Sequence, residues 1–293
     1  MKLASFNHGR VGVVEGDGIV DVTDLVPGGL GPSWPSSAMP RALADLDALL
    51  QEFAGKRDQL PRLSLSEVAL QAPVPRPGQL IALPANYDDH ITEMTSPNRA
   101  DRNGFFALAP SSISGPADPI VLPDLPGYTI DHECELAVII GKPARHVRPE
   151  DAFDHIAGYA CLVDVTVRGP QERAMRKSFP SFTPLGPYLV TSDEVGNPDE
   201  LGLSLSVNGE MRHDGNTRDL IVGIADGIAM ISSVIPLEPG DVIATGTPAG
   251  VGPLAPGDEV KIAVERVGDM TLQVVAGTGG YNLAYQNRKV STG

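Results

Sequence analysis

The stretch from Thr129 to Gly141 constrains the fold more than any other, because its second half is a β-rich apolar run. A Gly-Lys-Pro turn signal at residues 141–143 stops the run, which predicts a strand that is buried on both faces. Alternation along a strand places Glu133 and Glu135 on one face. Two neighbouring carboxylates at the mouth of a buried strand need a proton, a cation or several donors beside them. A hard divalent ion is the simplest of these, and the alternative is a strand start that is merely solvated.

The length and composition are those of an ordinary globular protein with one large and one small domain. The chain has 293 residues, of which 42% are hydrophobic and 20% are charged. Its formal net charge of -15 argues against nucleic acid and anionic membrane surfaces as partners, because both require clustered Lys and Arg. The 32 Gly and 27 Pro predict many turns and short strands rather than a helical bundle.

The expected location of the protein is the cytoplasm. Residues 1–8 lack an apolar signal core, and no segment has the apolar length that a bilayer-spanning helix needs. The two cysteines, Cys134 and Cys161, lie in apolar strand-like runs. This favours two reduced core residues over a disulfide or a metal site.

The first part of the chain predicts a small β-rich domain. Residues 1–26 are typical of short strands joined by turns, and residues 41–54 carry leucines at helical spacing. A proline-rich stretch at 73–78 then predicts a domain boundary. We therefore expect a small amino-terminal domain over residues 1–73 and a second, larger domain over residues 78–290.

His90 and Glu93 are candidates for a general-base pair. The segment that contains them follows a short buried strand at 80–83 and is typical of the start of a helix. Residues three apart share a face of a helix, so the Glu93 carboxylate can orient the His90 imidazole and raise its basicity. The alternative is an ordinary ion pair on the protein surface.

A third carboxylate interrupts a second apolar run. The pattern predicts a helix that starts at Pro149 and is stopped by Gly158, followed by a buried strand from Tyr159 to Val165. Asp164 lies within this strand and again needs a cation or donors. Two strands with three intruding carboxylates indicate a metal site, and all-oxygen ligands favour Mg²⁺, Mn²⁺ or Ca²⁺ over zinc.

Several motifs from residue 80 onward together resemble one known family. They are, in chain order, Asn86-Tyr87-x-x-His90-x-x-Glu93, Asp131-x-Glu133-x-Glu135-Leu136-Ala137-Val138, Asp164-Val165-Thr166-x-Arg168-x-x-Gln171, Lys177-Ser178-Phe179 and Thr245-Gly246-Thr247-Pro248-x-Gly250. Each motif is short, but in this order the chain resembles the fumarylacetoacetate hydrolase family.

The resemblance implies a β-rich α+β fold, namely a mixed β-sandwich roll that follows a small β-rich domain. It also implies a homodimer that acts on a small-molecule keto acid. The matching residues imply a Mg²⁺ or Mn²⁺ site whose ligands are Glu133, Glu135 and Asp164.

The resemblance further implies roles around that site. His90 and Glu93 would activate water in hydrolytic members, and Lys177 would stabilise an enolate or a carboxylate. The residues implied to line the pocket or contact the substrate are Tyr87, Arg168, Gln171 and Thr247. From the residues alone, Arg168 and Lys177 could be paired surface cations, and Thr247 could be a turn residue, because a Gly-Thr-Pro-x-Gly loop needs no ligand.

Two positions depart from the family pattern. Leu108 stands where members carry a lysine, and Gly169 stands where an aspartate follows the pocket arginine. We therefore expect a less cationic pocket and an Arg168 that is free to turn toward the ligand or solvent. The substrate would then be bulkier and less charged, with an apolar group against Leu108.

The resemblance favours metal-dependent hydrolysis of a carbon–carbon bond in a 1,3-diketo acid of the acylpyruvate type. Water activated by His90 and Glu93 would attack the distal carbonyl. A decarboxylase, tautomerase or isomerase of a 2-oxo acid would use the same enolate chemistry without water. The third alternative is a relative that binds a ligand without catalysis. The buried carboxylates, which are costly to bury, and the His-Glu pair both argue against it.

Overall fold

Strands dominate the fold. The computed structural model describes residues 1–30, 38–95, 97–280 and 282–286 of the chain. In chain order the strands are β1 (Lys2–Phe6), β2 (Arg10–Glu15), β3 (Gly18–Asp21), β4 (Arg62–Ser64), β5 (Leu70–Gln71), β6 (Leu80–Ala82), β7 (Phe106–Leu108), β8 (Ile113–Ser114), β9 (Ile120–Leu122), β10 (Thr129–His132), β11 (Cys134–Ile140), β12 (Ile156–Val163), β13 (Thr166–Arg168), β14 (Thr183–Thr191), β15 (Gly202–Val207), β16 (Glu210–Asn216), β17 (Val242–Ala244), β18 (Gly252–Pro253), β19 (Glu259–Val264) and β20 (Gly268–Ala276).

The helices are short. The α-helices are α1 (Ala38–Ala44), α2 (Leu46–Lys56), α3 (Asp88–Met94), α4 (Ala100–Asn103), α5 (Arg173–Lys177), α6 (Ser192–Val195), α7 (Ile224–Ser232) and α8 (Leu283–Gln286). Segments of 3₁₀ helix lie at Thr23–Leu25, Arg57–Gln59, Leu65–Glu67, Pro110–Ser112, Pro149–His155, Pro198–Glu200 and Thr217–Asp219. The helix expected over residues 41–54 is divided into α1 and α2 at Asp45. Within the described ranges, no helix has both the length and the apolar character needed to cross a bilayer.

The strands form three sheets. The largest has twelve strands and follows the path β4-β3-β2-β1-β14-β12-β11-β17-β6-β7, with β5 against β1 and β8 against β14. A five-stranded sheet has the order β16-β15-β19-β20-β9, and a three-stranded sheet has the order β13-β10-β18. Because both sheets and short helices contribute, the predicted β-rich α+β class is confirmed.

The strand β11 lies inside the large sheet, between β12 and β17. All seven of its residues are buried. Leu136 and Val138 pack in one hydrophobic cluster, whereas Ala137 and Ile139 pack in a second cluster on the opposite face. The prediction of a strand that is buried on both faces is therefore confirmed.

The amino-terminal strands extend the large sheet instead of forming a sheet of their own. β1 pairs antiparallel with β14, so that Lys2 lies opposite Val190. Residues on both sides of the proline-rich stretch 73–78 share one hydrophobic cluster. The division into residues 1–73 and 78–290 stays a prediction, and residues 287–290 lie outside those that the structure describes.

The predicted helix stop at Gly158 is wrong. Pro149–His155 is a 3₁₀ helix and β12 begins at Ile156, so Gly158 lies inside the strand. A Cβ atom at Gly158 would lie 2.2 Å from the carbonyl oxygen of Val190 in β14. Glycine is therefore needed for the close approach of two strands rather than for the end of a helix.

Both cysteines are free and buried. Burial raises the pKa of the Cys134 thiol well above its usual value and the pKa of the Cys161 thiol to about 12. Neither side chain is a thiolate at neutral pH, in agreement with the prediction of two reduced core residues.

Candidate active site

Three carboxylates converge where β10, β11 and β12 meet. Glu133 is the single residue between β10 and β11, Glu135 is the second residue of β11, and Asp164 directly follows β12. The N–H group of Asp164 donates to the carbonyl oxygen of Glu133 over 3.0 Å, which joins the two segments. All three side chains are buried, and one ligand oxygen from each lies within 4.8 Å of the other two.

Lys177, at the carboxyl end of α5, supplies a shared positive charge. Its Nζ donates to Glu133 Oε2 over 2.7 Å, to Asp164 Oδ2 over 2.6 Å and to Thr166 Oγ1 over 2.6 Å. Burial alone would lower the pKa of Lys177, but Asp164 and Glu133 raise it above its usual value. Burial alone would raise the pKa of Glu133, but Lys177 and Arg168 hold it well below its usual range. Lys177 is therefore a buried, charged lysine and not a surface cation.

The protein compensates the other two carboxylates less completely. Glu135 Oε2 accepts from the N–H of Gly246 over 2.7 Å, yet burial and the Asp164 charge raise the pKa of Glu135 well above its usual value. Burial also raises the pKa of Asp164 to about 6, although Lys177 opposes the change. Asp164 Oδ1 is buried and has no hydrogen-bond partner among the described residues. Three buried carboxylates, one with an unpaired oxygen, are a donor set that fits a hard divalent ion.

We expect Mn²⁺ to stabilise the protein, because a cation would relieve the repulsion among Glu133, Glu135 and Asp164. At about 100 times its Kd, an ion that binds only the folded state raises the free energy of unfolding by about 2.7 kcal/mol. Thermal unfolding with Mn²⁺, Mg²⁺ and a chelator measures the effect. Glu135→Gln should remove most of the shift, and Glu67→Gln, at an exposed position, should leave it intact. An unchanged Tm under all three conditions would contradict the expectation.

We expect the affinity for Mn²⁺ to fall as the pH is lowered from about 7 to about 5, because the ion must displace a proton. The pKa of Asp164 is about 6 in the folded protein against an ordinary value of 3.8. One displaced proton changes the Kd by up to about tenfold per pH unit. For the metal-free protein, the stability gained by holding this proton is lost as the pH rises from about 4 to about 6. Calorimetric titrations with Mn²⁺ between pH 5 and pH 7 measure the Kd, and a constant Kd would contradict the first expectation. Thermal unfolding of the metal-free protein between pH 4 and pH 6 tests the second.

Arg168 is held by two carboxylates. Its Nε donates to Asp131 Oδ2 over 2.6 Å, and its Nη2 donates to Glu133 Oε1 over 2.9 Å. The expectation of a free Arg168 is therefore wrong, because Asp131 takes the place of the missing neighbouring acid. A Cβ atom at Gly169 would lie 2.3 Å from Gln171 Oε1 and 2.8 Å from Tyr128 Cε1, so a larger residue there would require these side chains to move.

His90 and Glu93 lie on α3, beside the site. His90 Nδ1 is 3.6 Å from Glu93 Oε2, which is longer than a hydrogen bond, and it has no other partner among the described residues. Glu93 accepts from the N–H groups of Gly250 over 2.9 Å and Val251 over 3.4 Å, which fastens α3 to the loop after β17. Since Nδ1 faces Glu93, Nε2 is the ring nitrogen left to face the cavity. Such contacts are often long in unliganded enzymes and shorten when substrate binds.

The connection that leads into α3 is fixed by Asn86. Its amide nitrogen donates to the carbonyl oxygens of Val222 over 3.0 Å and Thr245 over 2.8 Å. Its amide oxygen accepts from the N–H of Val222 over 2.8 Å. Gly246 has a positive φ of 99°, and a Cβ atom there would lie 2.8 Å from Asn86 Cβ. Glycine at 246 therefore allows the two connections to touch.

Thr247 has a structural role in addition to its place at the cavity. Its hydroxyl accepts from the N–H of Cys134 over 3.0 Å and donates to the carbonyl of Pro248 over 3.2 Å. His213 Nδ1 lies 3.4 Å from the same hydroxyl, and His213 Nε2 contacts His132 Nδ1 over 3.1 Å. Burial lowers the pKa of both histidines, that of His132 to about 3, so this pair is neutral at pH 7.

A cavity of about 240 Å³ lies beside the three carboxylates. The residues predicted for the site that line it are His90, Glu133, Glu135, Asp164, Arg168, Lys177 and Thr247. Glu93 does not line the cavity, but its carboxylate lies beside His90, which does. Tyr87 and Gln171 are not part of the lining. The Tyr87 hydroxyl is buried and has no hydrogen-bond partner in the part of the chain that the structure describes, and Gln171 Nε2 donates to the Tyr128 hydroxyl over 3.0 Å.

The expected effect of Leu108 is wrong. Leu108 is 4% exposed and packs in the hydrophobic core, whereas Phe106, two residues earlier, lines the cavity. The cavity is not poor in cations either, because α5 adds Arg173 and Arg176 to Lys177. Positive charge at the cavity therefore comes from α5 and not from position 108.

Arg173 and Arg176 were not predicted for the site, and Asp131, although part of a quoted motif, was given no role. The two arginines could have been predicted from their spacing. Arg173 is three residues before Arg176 and four before Lys177, so a helix places these side chains near one another. Asp131 could have been found by the period-two argument that joined Glu133 to Glu135, since it lies two residues before Glu133.

Residues 79–275 match the family model described as fumarylacetoacetate (FAA) hydrolase C-terminal, which covers more than half of the chain. The chain belongs to the fumarylacetoacetate hydrolase family. The resemblance that the motifs predicted is therefore confirmed. Within this family, the maleylpyruvate hydrolase of Aquipseudomonas alcaligenes is 41% identical over 285 residues, which are 94% of this chain and 99% of that protein.

Two further members of the fumarylacetoacetate hydrolase family show its range. A crystal structure of maleylpyruvate hydrolase from Sphingobium sp. SYK-6, in complex with manganese(II) and pyruvate, has a TM-score of 0.87 and 45% identity, and covers 94% of this chain and 100% of that one. Human oxaloacetate tautomerase FAHD2A, mitochondrial, is 41% identical over 230 residues, which are 74% of this chain and 73% of that protein. The predicted fold type and the prediction of an enzyme of this family are confirmed.

Proposed function

We propose that this protein is a metal-dependent hydrolase that cleaves a carbon–carbon bond in a 1,3-diketo acid of the acylpyruvate type. The observation that carries the proposal is one cavity lined by three buried carboxylates, a buried lysine and a histidine on α3. Two relatives that this chain matches over nearly their whole length are maleylpyruvate hydrolases, and one of them was crystallised with manganese(II) and pyruvate.

We propose that Glu133, Glu135 and Asp164 hold Mn²⁺ or Mg²⁺, with Ca²⁺ as the remaining hard cation that oxygen ligands accept. When bound, the ion supplies a Lewis acid that polarises the oxygens of the keto acid. Lys177 keeps its positive charge beside this site and stabilises negative charge that develops on the substrate.

His90 is the proposed general base. Its Nε2 takes a proton from a water molecule as the water oxygen attacks the distal carbonyl carbon of the substrate. The negatively charged Glu93, beside Nδ1, stabilises the imidazolium that forms. The bond between the attacked carbon and the methylene then breaks, and its electron pair passes into the enolate of the pyruvate half. Protonation of that enolate carbon by His90 gives pyruvate and a carboxylic acid.

A tautomerase, decarboxylase or isomerase of a 2-oxo acid is the second candidate. The similarity to an oxaloacetate tautomerase favours it. In that case the same carboxylates and Lys177 would bind the keto acid, and His90 would move a proton between carbon and oxygen while water is excluded. The two candidates therefore differ in whether water reacts.

Product analysis distinguishes the candidates. The Mn²⁺ and Mg²⁺ forms are incubated with an acylpyruvate, fumarylacetoacetate, oxaloacetate and a 2-hydroxymuconate-type diacid. Pyruvate and an acid in equal amounts from the acylpyruvate would support hydrolysis. Carbon dioxide, or a tautomer with the carbon skeleton intact, would support the second candidate. If no substrate is consumed, both candidates are rejected.

We further propose a homodimer in the cytoplasm that acts on a small-molecule keto acid. The grounds are the family resemblance for the dimer, and the two free, buried cysteines, which fit a reducing compartment, for the cytoplasm. Light scattering tests the first, since a dimer has twice the mass of one chain and a monomer at all concentrations would reject it.

A further inference from the structure

Two buried histidines contact the loop that carries Thr247. His213 lies in β16 of the five-stranded sheet, His132 ends β10 of the three-stranded sheet, and both are at most 1% exposed. His213 Nε2 is 3.1 Å from His132 Nδ1, and the two rings meet edge to face. Neither ring lines the cavity. The pair therefore joins two of the three sheets beside the Thr247 loop.

The hydrogen atom on each ring can be assigned from the partners of the ring. His213 Nδ1 is 3.2 Å from the carbonyl oxygen of Pro248, which can only accept, so Nδ1 carries the hydrogen. In a neutral ring Nε2 is then an acceptor, and it receives the Nδ1–H group of His132. His132 Nε2 is buried and has no hydrogen-bond partner among the described residues. A hydrogen on that atom would be a buried donor without an acceptor, which favours the same assignment.

The loop formed by residues 247–251 is held at both ends. His213 fixes it at Pro248, and Gly252, which begins β18, lies opposite His132 in β10. Between these points the loop touches β16 directly. Gly250 has a positive φ of 116°, and a Cβ atom there would lie 1.9 Å from the carbonyl oxygen of Arg212. The position of the loop therefore depends on β16 and on the histidine pair.

The same loop holds α3. The N–H groups of Gly250 and Val251 donate to the Glu93 carboxylate, and Glu93 Oε2 lies 3.6 Å from His90 Nδ1. Since α3 has only seven residues, the place of its imidazole at the cavity depends in part on this contact. A displacement of the loop would move Glu93 and, with it, His90.

We propose that His213 and His132 are positioning residues, which hold the 247–251 loop where its N–H groups bind Glu93 and thereby place His90 at the cavity. The inference rests on the proposed function only in that it assigns proton transfer to His90. The two histidines do not touch the substrate. They act through the backbone of the loop.

The first test separates kcat from KM. His213→Phe keeps a ring of similar shape but removes both hydrogen bonds, and it should lower kcat by about 10- to 100-fold, the cost of a misplaced catalytic group. KM should change by less than about threefold, because other groups bind the substrate. His213→Gln retains a donor and an acceptor and should recover most of kcat. Leu272→Ala is the matched control, because Leu272 is buried in β20 of the same sheet, and it should lower Tm without lowering kcat.

A double variant tests whether His213 acts through Glu93. Glu93→Ala removes the contact between α3 and the loop. If that contact transmits the effect, adding His213→Phe to Glu93→Ala should lower kcat by less than about threefold further. Multiplication of the two separate losses would show that His213 acts by another route and would overturn the proposal.

Two measurements need no turnover. Hydrogen exchange followed by mass spectrometry should show at least about tenfold faster exchange in the peptide that contains Gly250 and Val251 in His213→Phe, and unchanged exchange in His213→Gln. Nuclear magnetic resonance of the wild-type Mg²⁺ form, labelled with ¹⁵N in histidine, should show the hydrogen on Nδ1 in both His132 and His213. This second measurement stands even if His213→Phe does not fold.

The outcomes separate this inference from the proposed function. If the wild-type protein consumes no substrate, the proposed function fails, and the exchange and resonance measurements alone decide the positioning role. If the substrate is hydrolysed and His213→Phe lowers kcat no more than Leu272→Ala does, hydrolysis stands and the positioning role is rejected. Unchanged exchange in the loop, or hydrogens on Nε2 of both rings, also overturns it.

Discussion

His90→Ala is expected to lower kcat by about two to four orders of magnitude, the range for one general base. The reason is that His90 is the imidazole on α3 that lines the cavity, and an imidazole is the side chain most often used as a general base. Within the described ranges its Nδ1 makes no hydrogen bond, so removal of the ring should change stability little. Steady-state kinetics with the Mn²⁺ form, alongside thermal unfolding, measure the two effects separately.

Glu93→Gln tests the same proposal with a milder substitution. Glutamine keeps an oxygen that can accept from the N–H groups of Gly250 and Val251, but it removes the charge beside His90. A smaller loss than that of His90→Ala is therefore expected. Unaltered turnover in His90→Ala would reject proton transfer by this residue in both candidate reactions.

Lys177→Met is expected to lower the free energy of unfolding of the metal-free protein by about 3 to 5 kcal/mol. The substitution leaves Glu133 and Asp164 as buried carboxylates without the cation that they share. Methionine retains most of the apolar stem, so the loss reports mainly on the charge. Mn²⁺ should recover part of the stability, because a divalent ion would compensate the same two carboxylates.

Chemical denaturation with and without Mn²⁺ measures this effect. Lys142→Met is the matched control, because Lys142 is exposed and makes no ion pair within the described ranges. Its expected change is below about 0.5 kcal/mol. A loss below about 1 kcal/mol for Lys177→Met would be the size expected of an exposed ion pair, and would contradict the account of Lys177 as a buried counter-charge.

The central strand and its carboxylates could be predicted because their signals are local. Alternation along β11 follows from strand geometry alone, and it gives both the two buried faces and the neighbourhood of Glu133 and Glu135. Asp164 stood out because a charged residue interrupts an apolar run. Each of these inferences needs only a few consecutive residues.

The failures share a different cause, which is contact between distant segments. Gly158 resembled a helix stop because the sequence does not reveal that β14 passes within van der Waals distance of it. Leu108 and Phe106 lie on one face of β7, and only their positions along the strand decide which reaches the cavity. Arg168 was expected to be free because Asp131, its partner, is 37 residues away in the sequence.

The charge of the cavity was misjudged for the same reason. The departures at positions 108 and 169 were expected to make the cavity less cationic and to free Arg168, but α5 brings Arg173 and Arg176 to the cavity and Asp131 in β10 pairs with Arg168. A motif comparison counts charges at matched positions. The electrostatics of a pocket depends on which side chains meet in space, whatever their positions in the sequence.

Isotope incorporation from labelled water tests the central claim most directly. The Mn²⁺ form is incubated in ¹⁸O-water with an acylpyruvate, and the acid product is examined by mass spectrometry. The account predicts one ¹⁸O atom in the new carboxylate for each pyruvate released, with loss of turnover in Glu135→Gln and on chelation. Exchange of protons at the methylene carbon with the carbon–carbon bond intact, and no ¹⁸O in any acid product, would contradict it.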